Sequence, residues 1–446
     1  MTSATQSTPH TAVVSNRHIF AAISASCLGW ALDLFDLFVL LFVAPVVGRL
    51  FFPSTHPMLS LAAVYASFAV TLLMRPFGSA LFGSYADRHG RKGAMIIAVI
   101  GVGVATALFG ALPTTAQIGL AAPALLIVLR LVQGIFVGGV VASTHTIATE
   151  SVPASWRGTV SGMIGGGGAG VGALIASLVY LIMTRLFPGA AFDVWGWRCM
   201  FFTGIISSVL GLFIFSSLDE SPLWKQLKKE AAAGSAPAQK TNSPLATLFS
   251  RDWRGVLFVN LLLTIGGGSG YYLTSGYLPT YLKVVTHTAA SSAALILVLS
   301  SVGVIVASIF TGYLSDLLGR KKTFILVGVL RLVLFPVLYL AMVHTSDVVI
   351  LGVYVIALCA IGSAGYAPIL IFLNERFPTA IRASGTGLSW NIGFAIGGMM
   401  PTFVSLTAKT PAQLPLVLSG FLIGLSLLFL WGALAIPETK GQLDSH

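Results

Sequence analysis

The chain has 446 residues, 56% of them hydrophobic and only 9% charged, against roughly 25% charged in soluble domains; this excludes an ordinary water-soluble globular protein. Its formal net charge of +11 invites a nucleic-acid reading, which the placement of the basic residues along the chain excludes. Cys27, Cys199 and Cys359 are scattered in apolar segments without CxxC or CxxH spacing, so neither a disulfide framework nor a metal site is indicated.

Residues 1–16 are polar and rich in Ser and Thr. The apolar run that follows, Ile19 to about Val47, is too long for the core of a signal peptide and reads as a retained first span. Since a span needs about 20 mostly apolar residues, the pattern predicts twelve, at 19–48, 58–84, 93–113, 120–148, 155–184, 197–217, 254–281, 289–315, 322–343, 347–373, 383–407 and 413–435. Span one carries LDLFDLF (32–38), which puts Asp33 and Asp36 near the bilayer centre, at roughly 2.5–3.5 kcal/mol each. Span two carries Arg75, span four Arg130 and His145, and span nine Arg331. Span five contains GGGGAG (165–170), which satisfies GxGxxG; without a preceding strand this is small-residue helix packing, not a dinucleotide site. Span seven, NLLLTIGGGSGYYLTSGYLPTYL, is unusually polar, and its Gly and Pro residues predict a broken helix lining a cavity.

The hydrophilic stretch LDESPLWKQLKKEAAAGSAPAQKTNSP (218–244) divides the chain into a first bundle at 1–218, a linker at 219–251 and a second bundle at 252–446. With the N-terminus inside, seventeen Lys and Arg residues fall on the cytoplasmic side and five on the other. Both termini are therefore expected in the cytoplasm of a cell-membrane protein, bacterial inner membrane included. The basic excess is a topology signal and a contact with lipid headgroups, with no nucleic acid involved.

The two bundles carry matching loops. FGSYADRHGRK (82–92) is answered by TGYLSDLLGRK (311–321), ESVPASWRGTVSG (150–162) by ERFPTAIRASGTG (375–387), and LDESP (218–222) by IPETKG (436–441). Such pairing marks a duplicated six-helix unit, a common transporter construction. In the loops, Gly83 permits close helix approach, and Asp87 can accept from Arg91 or from N–H groups at a facing helix start.

These motifs resemble those of the major facilitator superfamily over essentially the whole chain. RPFGS (75–79), WGWR (195–198), YYLTSGYLPTYL (271–282) and RFPTAIRASGTGLSWNIG (376–393) resemble the metabolite:proton symporters, whereas LGWALDLFDLF (28–38) is closer to the sialate/monocarboxylate:proton symporters. The resemblance implies an all-α membrane fold of twelve transmembrane helices in two pseudo-symmetric six-helix bundles, working by alternating access, with spans one, four, seven and ten lining a central cavity. It also implies that the loop clusters are gates. These are Gly83, Asp87, Arg88 and Arg91 with Asp316 and Arg320, and Glu150 and Arg157 with Glu375 and Arg382.

Asp33 and Asp36 are three residues apart and share a helix face. Two carboxylates there raise each other's proton affinity, and low dielectric acts in the same direction. Asp36 is read as the proton carrier, with Asp33 paired to Arg130, which together with Gln133 would bind a substrate carboxylate; a fixed structural ion pair is the plainer alternative. Tyr272 and Tyr277 are expected in the cavity, with Tyr366, Trp390 and Asn391 on the opposite wall. His145 is expected to be an interfacial histidine, Arg331 to pair structurally, and Arg75 to meet the cytoplasmic charge network or span eleven.

The sequence thus predicts a monomeric proton-coupled importer of a small organic acid, a mono- or dicarboxylate, without cofactor, metal or enzymatic activity. Alternatives are symport of a zwitterion such as a betaine, or export of an amphiphile. An enzyme would need a clustered nucleophile and base, and a sensor a sizeable soluble domain.

Overall fold

The computed structural model describes residues 16–89, 91–138, 152–216, 248–378 and 382–444. Among them there are helices and connecting turns and no strand. The first half contains α1 (Asn16–Phe51), α2 (Pro57–His89), α3 (Arg91–Ala111) and α4 (Ala121–Gly138). It continues with α5, built from Arg157–Gly162, a π-helical turn at Met163–Gly167 and Gly168–Leu186, and α6, which runs through Trp197–Phe202 and Gly204–Ser216. The second half contains α7a (Arg254–Tyr272) and α7b (Leu278–Val284), α8 (Ala290–Leu318) and α9 (Arg320–Val343). After these come α10a (Val348–Ala364) and α10b (Ile369–Arg376), α11 (Arg382–Thr407) and α12 (Leu414–Ala435). These are the twelve expected spans.

Two spans are broken, each for a local reason. In α7 the Gly-rich run ends at Tyr272, and Pro279 lies in the first turn of α7b, where its missing N–H costs nothing. In α10 the break falls at 365–368, between Gly365 and Pro368. The sequence reading anticipated the first break; it took 347–373 as continuous, because the flanking apolar run masks a single Gly and Pro.

Within the first half α1 packs on α5, α2 on α4 and α3 on α6; within the second, α7a packs on α11 and α12, α8 on α10a and α9 on α12. The halves meet where α2 lies against α11, α5 against α8, and α1 against α7b. One continuous buried apolar cluster runs through both halves. Large side chains such as Phe213, Val306, Phe310 and Val353 face outward, which on a soluble protein would be a sticky surface and here is the face turned to lipid. With twelve spans the start of α1 and the end of α12 lie at the same end of the bundle, called here the terminal end; the opposite one is the far end.

Candidate functional site

Asp36 and Asp33 are both buried at mid-height in α1. Asp36 faces into the first half, toward α3 and α6, rather than into the space between halves. A small cavity of about 20 Å³ lies there, lined by Asp33, Asp36, Val99, Val102, Val137, Ser207 and Ser208 among others. Ser207 Oγ donates to Asp36 Oδ1 at 3.5 Å, and Asp36 Oδ2 has no hydrogen-bond partner among the described residues. Nearby, Arg130 Nη1 donates to Gln133 Oε1 at 2.6 Å, and Gln133 Nε2 donates to Thr106 Oγ1 at 2.8 Å. The Arg130 guanidinium also stacks over Phe109, 4.3 Å from its ring centre.

The expected Asp33–Arg130 pair does not form. Asp33 Oδ1 instead accepts from Arg75 Nη2 at 3.2 Å. The physical reason is helix geometry: α1 and α2 are sequence neighbours running antiparallel, which brings Arg75 back to the height of Asp33, while Arg130 is held by Gln133. Of the two surroundings expected for Arg75, the terminal-end network and span eleven, it meets the second, sharing a cavity with Trp390, Asn391 and Phe394 of α11. No ion pair joins Asp36 to Arg130 among the described residues.

Arg75 reaches a second cavity, between the halves. A small cavity of about 20 Å³ lies among Trp30, Leu34, Leu72, Arg75, Tyr271, Tyr272, Tyr366, Trp390, Asn391, Phe394 and Ala395. Its rings form a contiguous cage. Ring centres are 5.1 Å apart for Tyr271–Tyr366, 5.4 Å for Tyr366–Trp390, 5.8 Å for Trp30–Trp390 and 3.9 Å for Trp390–Phe394. The rings touch one another and leave little room between them. Asp33 and Arg75 thus connect two compartments: Asp33 lines the acidic cavity and Arg75 the aromatic one.

Of the expected binding residues, Tyr272, Tyr366, Trp390 and Asn391 line this cavity. Arg130 and Gln133 lie inside the first half, away from it. Tyr277 belongs to a closure at the far end: it stacks on Tyr65 with centres 5.0 Å apart, and its hydroxyl meets Ser405 Oγ at 2.8 Å. Tyr65 Oη also donates to Thr280 Oγ1 at 2.8 Å. Toward the terminal end, Trp30 Nε1 donates to Tyr366 Oη at 3.0 Å, and Tyr366 Oη donates to Gly165 O at 3.4 Å. Each closure joins one half to the other. Trp30, Tyr271, Phe394 and Tyr65 were not anticipated from sequence; the Trp390–Phe394 spacing of one helical turn was the available signal.

At the terminal end, Asp316 accepts from Gly158 N at 2.8 Å, and from Thr159 N and Oγ1 at 2.7 Å. These are the free N–H groups at the start of α5, where an anion is favoured. A side chain at Gly158 would collide with Arg320, Asp316 and Ser315, so this approach requires glycine. Arg320, fully buried, bonds Asp316 at 2.8 Å and grips Glu375 through Nε and Nη2 at 3.0 and 2.9 Å. Arg157 is buried at the head of α5. Gly83, Asp87 and Arg88 fall in α2, and Arg91 and Arg382 open α3 and α11. Their side-chain surroundings lie outside the described residues, as do Glu150 and His145 altogether.

Comparison with known proteins fits this architecture. The sequence pattern of the Major Facilitator Superfamily matches residues 18–402 and 261–444. The chain is 28% identical over 404 residues to the glycine betaine/proline/ectoine/pipecolic acid transporter of Dickeya dadantii, covering 90% of this chain and 80% of that one. It is equally 28% identical to the proline/betaine transporter of Escherichia coli K12, again over 90% and 80% of the two chains. It is 27% identical to an inner membrane metabolite transport protein of the same bacterium, over 94% of each. A xylose transporter structure from E. coli superposes with a TM-score of 0.74 at 19% identity, over 96% of this chain and 99% of that one, which speaks to the fold alone. The chain therefore belongs to the Major Facilitator Superfamily and is a multi-pass membrane transporter, not an enzyme.

Proposed function

We propose that the protein is a proton-coupled symporter that imports a small zwitterion, an ammonium group and a carboxylate in one molecule as in a betaine, by alternating access with its terminal end in the cytoplasm. The observation that carries this reading is a cage of aromatic rings with one arginine in its wall. Ring faces attract a cation, by about 0.5–2 kcal/mol each once water is excluded, and a guanidinium is suited to a carboxylate. The simple organic-acid reading rested on Arg130, which does not reach this cavity; the relatives named as betaine and proline transporters support the zwitterion.

The coupling follows from the shared arginine. Arg75 holds Asp33 at 3.2 Å. A substrate carboxylate competes for the same guanidinium and displaces Asp33. An unpaired carboxylate at this depth is costly, so Asp33 and Asp36, one turn apart on α1, take up a proton between them as the substrate binds. Release of the substrate lets Asp33 re-pair with Arg75 and frees the proton. Asp36, with its unpartnered oxygen and its hydroxyl neighbours, is the resting place of that proton.

Liposomes containing the purified protein and a trapped pH dye test this reading. Betaine and proline are expected to acidify the interior, and lactate and 2-oxoglutarate are not; the betaine signal vanishes in Asp36→Asn. Acidification by the carboxylates alone would reinstate the organic-acid reading. Betaine accumulation without acidification would overturn the proton assignment.

A further inference from the structure

Arg331 lies in α9, outside the cavity helices, and is 1% exposed. The sequence reading expected a structural ion pair for it, yet no carboxylate pairs with it among the described residues. Its Nη2 donates to Gly266 O at 3.0 Å and Gly267 O at 3.4 Å, while Nε and Nη1 have no acceptor. The rings of Phe335 and Phe429 hold it, with centres 5.1 and 4.7 Å away. An unpaired buried guanidinium costs several kcal/mol, and its surroundings indicate what it does.

The guanidinium fills a slot between the two broken spans. A side chain at Gly270 would overlap Nη2, and one at Gly365 would come within 2.5 Å of Nη1. Gly270 precedes the α7 break and Gly365 begins the α10 break. The α7 break carries Tyr277 of the far-end closure; the α10 break carries Tyr366 of the terminal-end closure. The internal repeat that aligns Asp87 with Asp316 aligns Val102 with Arg331 and Asp36 with Ile265, next to Gly266. The second half thus holds a permanent cation in the region where the first half holds its proton site.

We propose that Arg331 is the positioning residue that couples the two closures and prevents both from opening together. Its free Nη1 faces the α10 break. When that break unwinds to release Tyr366, the carbonyls it frees lie beside Nη1, and the guanidinium then bonds α7a and α10 at once. It holds the α7 break, and Tyr277 with it, shut. When the α7 break loosens instead, the carbonyls it frees lie beside Gly270 and take the guanidinium's free N–H groups, and the α10 turn, whose own carbonyls would then go unpaired, remains wound. The proposal rests on alternating access but not on the substrate, so failure of betaine transport leaves it standing.

Hydrogen exchange of full-length protein in nanodiscs, followed by mass spectrometry over 273–277 and 365–368, tests it. Tyr277→Phe loosens the far-end closure. With Arg331 present, this variant is expected to speed exchange at 273–277 and slow it at 365–368 by about fivefold, the low end of typical coupling. In an Arg331→Met background the second effect disappears, and in Arg331→Lys, which keeps the charge without the fork, it is reduced. A merely structural arginine would make both segments exchange faster in Arg331→Met while leaving the response to Tyr277→Phe intact; that outcome overturns the proposal. So does exchange at 365–368 that Tyr277→Phe leaves unchanged with Arg331 in place, a result needing no Arg331 variant to fold.

Discussion

Asp33 and Asp36 share a helix face but not an environment. One is held by Arg75 at 3.2 Å, and the other has a weak hydroxyl bond and an unpartnered oxygen. If substrate and Asp33 compete for Arg75, removing the competitor strengthens binding. Asp33→Asn is expected to bind betaine roughly tenfold more tightly, since a charge-assisted hydrogen bond contributes about 1.5–3 kcal/mol; calorimetry on purified protein reads this directly. Because binding takes up a proton, wild-type affinity for betaine should fall as pH rises, and in Asp36→Asn this dependence should flatten. Trp390→Ala removes a ring from the cage and should weaken betaine binding about tenfold.

At the level of elements, the terminal-end closure depends on a helix N-terminus. Asp316 at the end of α8 accepts three hydrogen bonds from the first turn of α5 while also bonding Arg320. Asp316→Asn keeps the shape but removes the charge that both the α5 N-terminus and Arg320 require, at a cost of about 3 kcal/mol to the closed state. The terminal end should then open more often by roughly a hundredfold in equilibrium constant. Pulsed electron spin distances between labels on the terminal ends of α5 and α8 would show a longer population. An unchanged distance distribution would mean that the interface is held elsewhere, by the α2–α11 contact.

For the whole molecule, the orientation argument is electrostatic. Seventeen basic residues against five on the two sides lead us to expect the terminal end in the cytoplasm. Lys225, Lys228 and Lys229 in the linker should therefore react with an impermeant amine reagent in inside-out vesicles and stay protected in intact cells. Much of this architecture was legible in the sequence. The span count, the duplicated half, the break in α7 and the depth of Asp33 and Asp36 all follow from local composition, since a helix in lipid must satisfy its own backbone and advertises itself by its apolar run. The sequence pattern also points Tyr272, Tyr366, Trp390 and Asn391 toward one cavity, which they line.

Partnership is what local composition does not encode. That Arg75 rather than Arg130 pairs with Asp33 depends on the antiparallel register of α1 and α2 and on Gln133 occupying Arg130. That Tyr277 closes the far end depends on α11 presenting Ser405 to it, and that Arg331 meets no acid among the described residues depends on which face of α9 meets Gly266. The sequence alone determined that this is a twelve-span, duplicated transporter with a few costly charges in its spans, because burying charge and exposing apolar surface are penalties legible residue by residue. Only the tertiary structure decided which charge meets which and which rings form the cage, because those energies belong to pairs of residues brought together from distant parts of the chain.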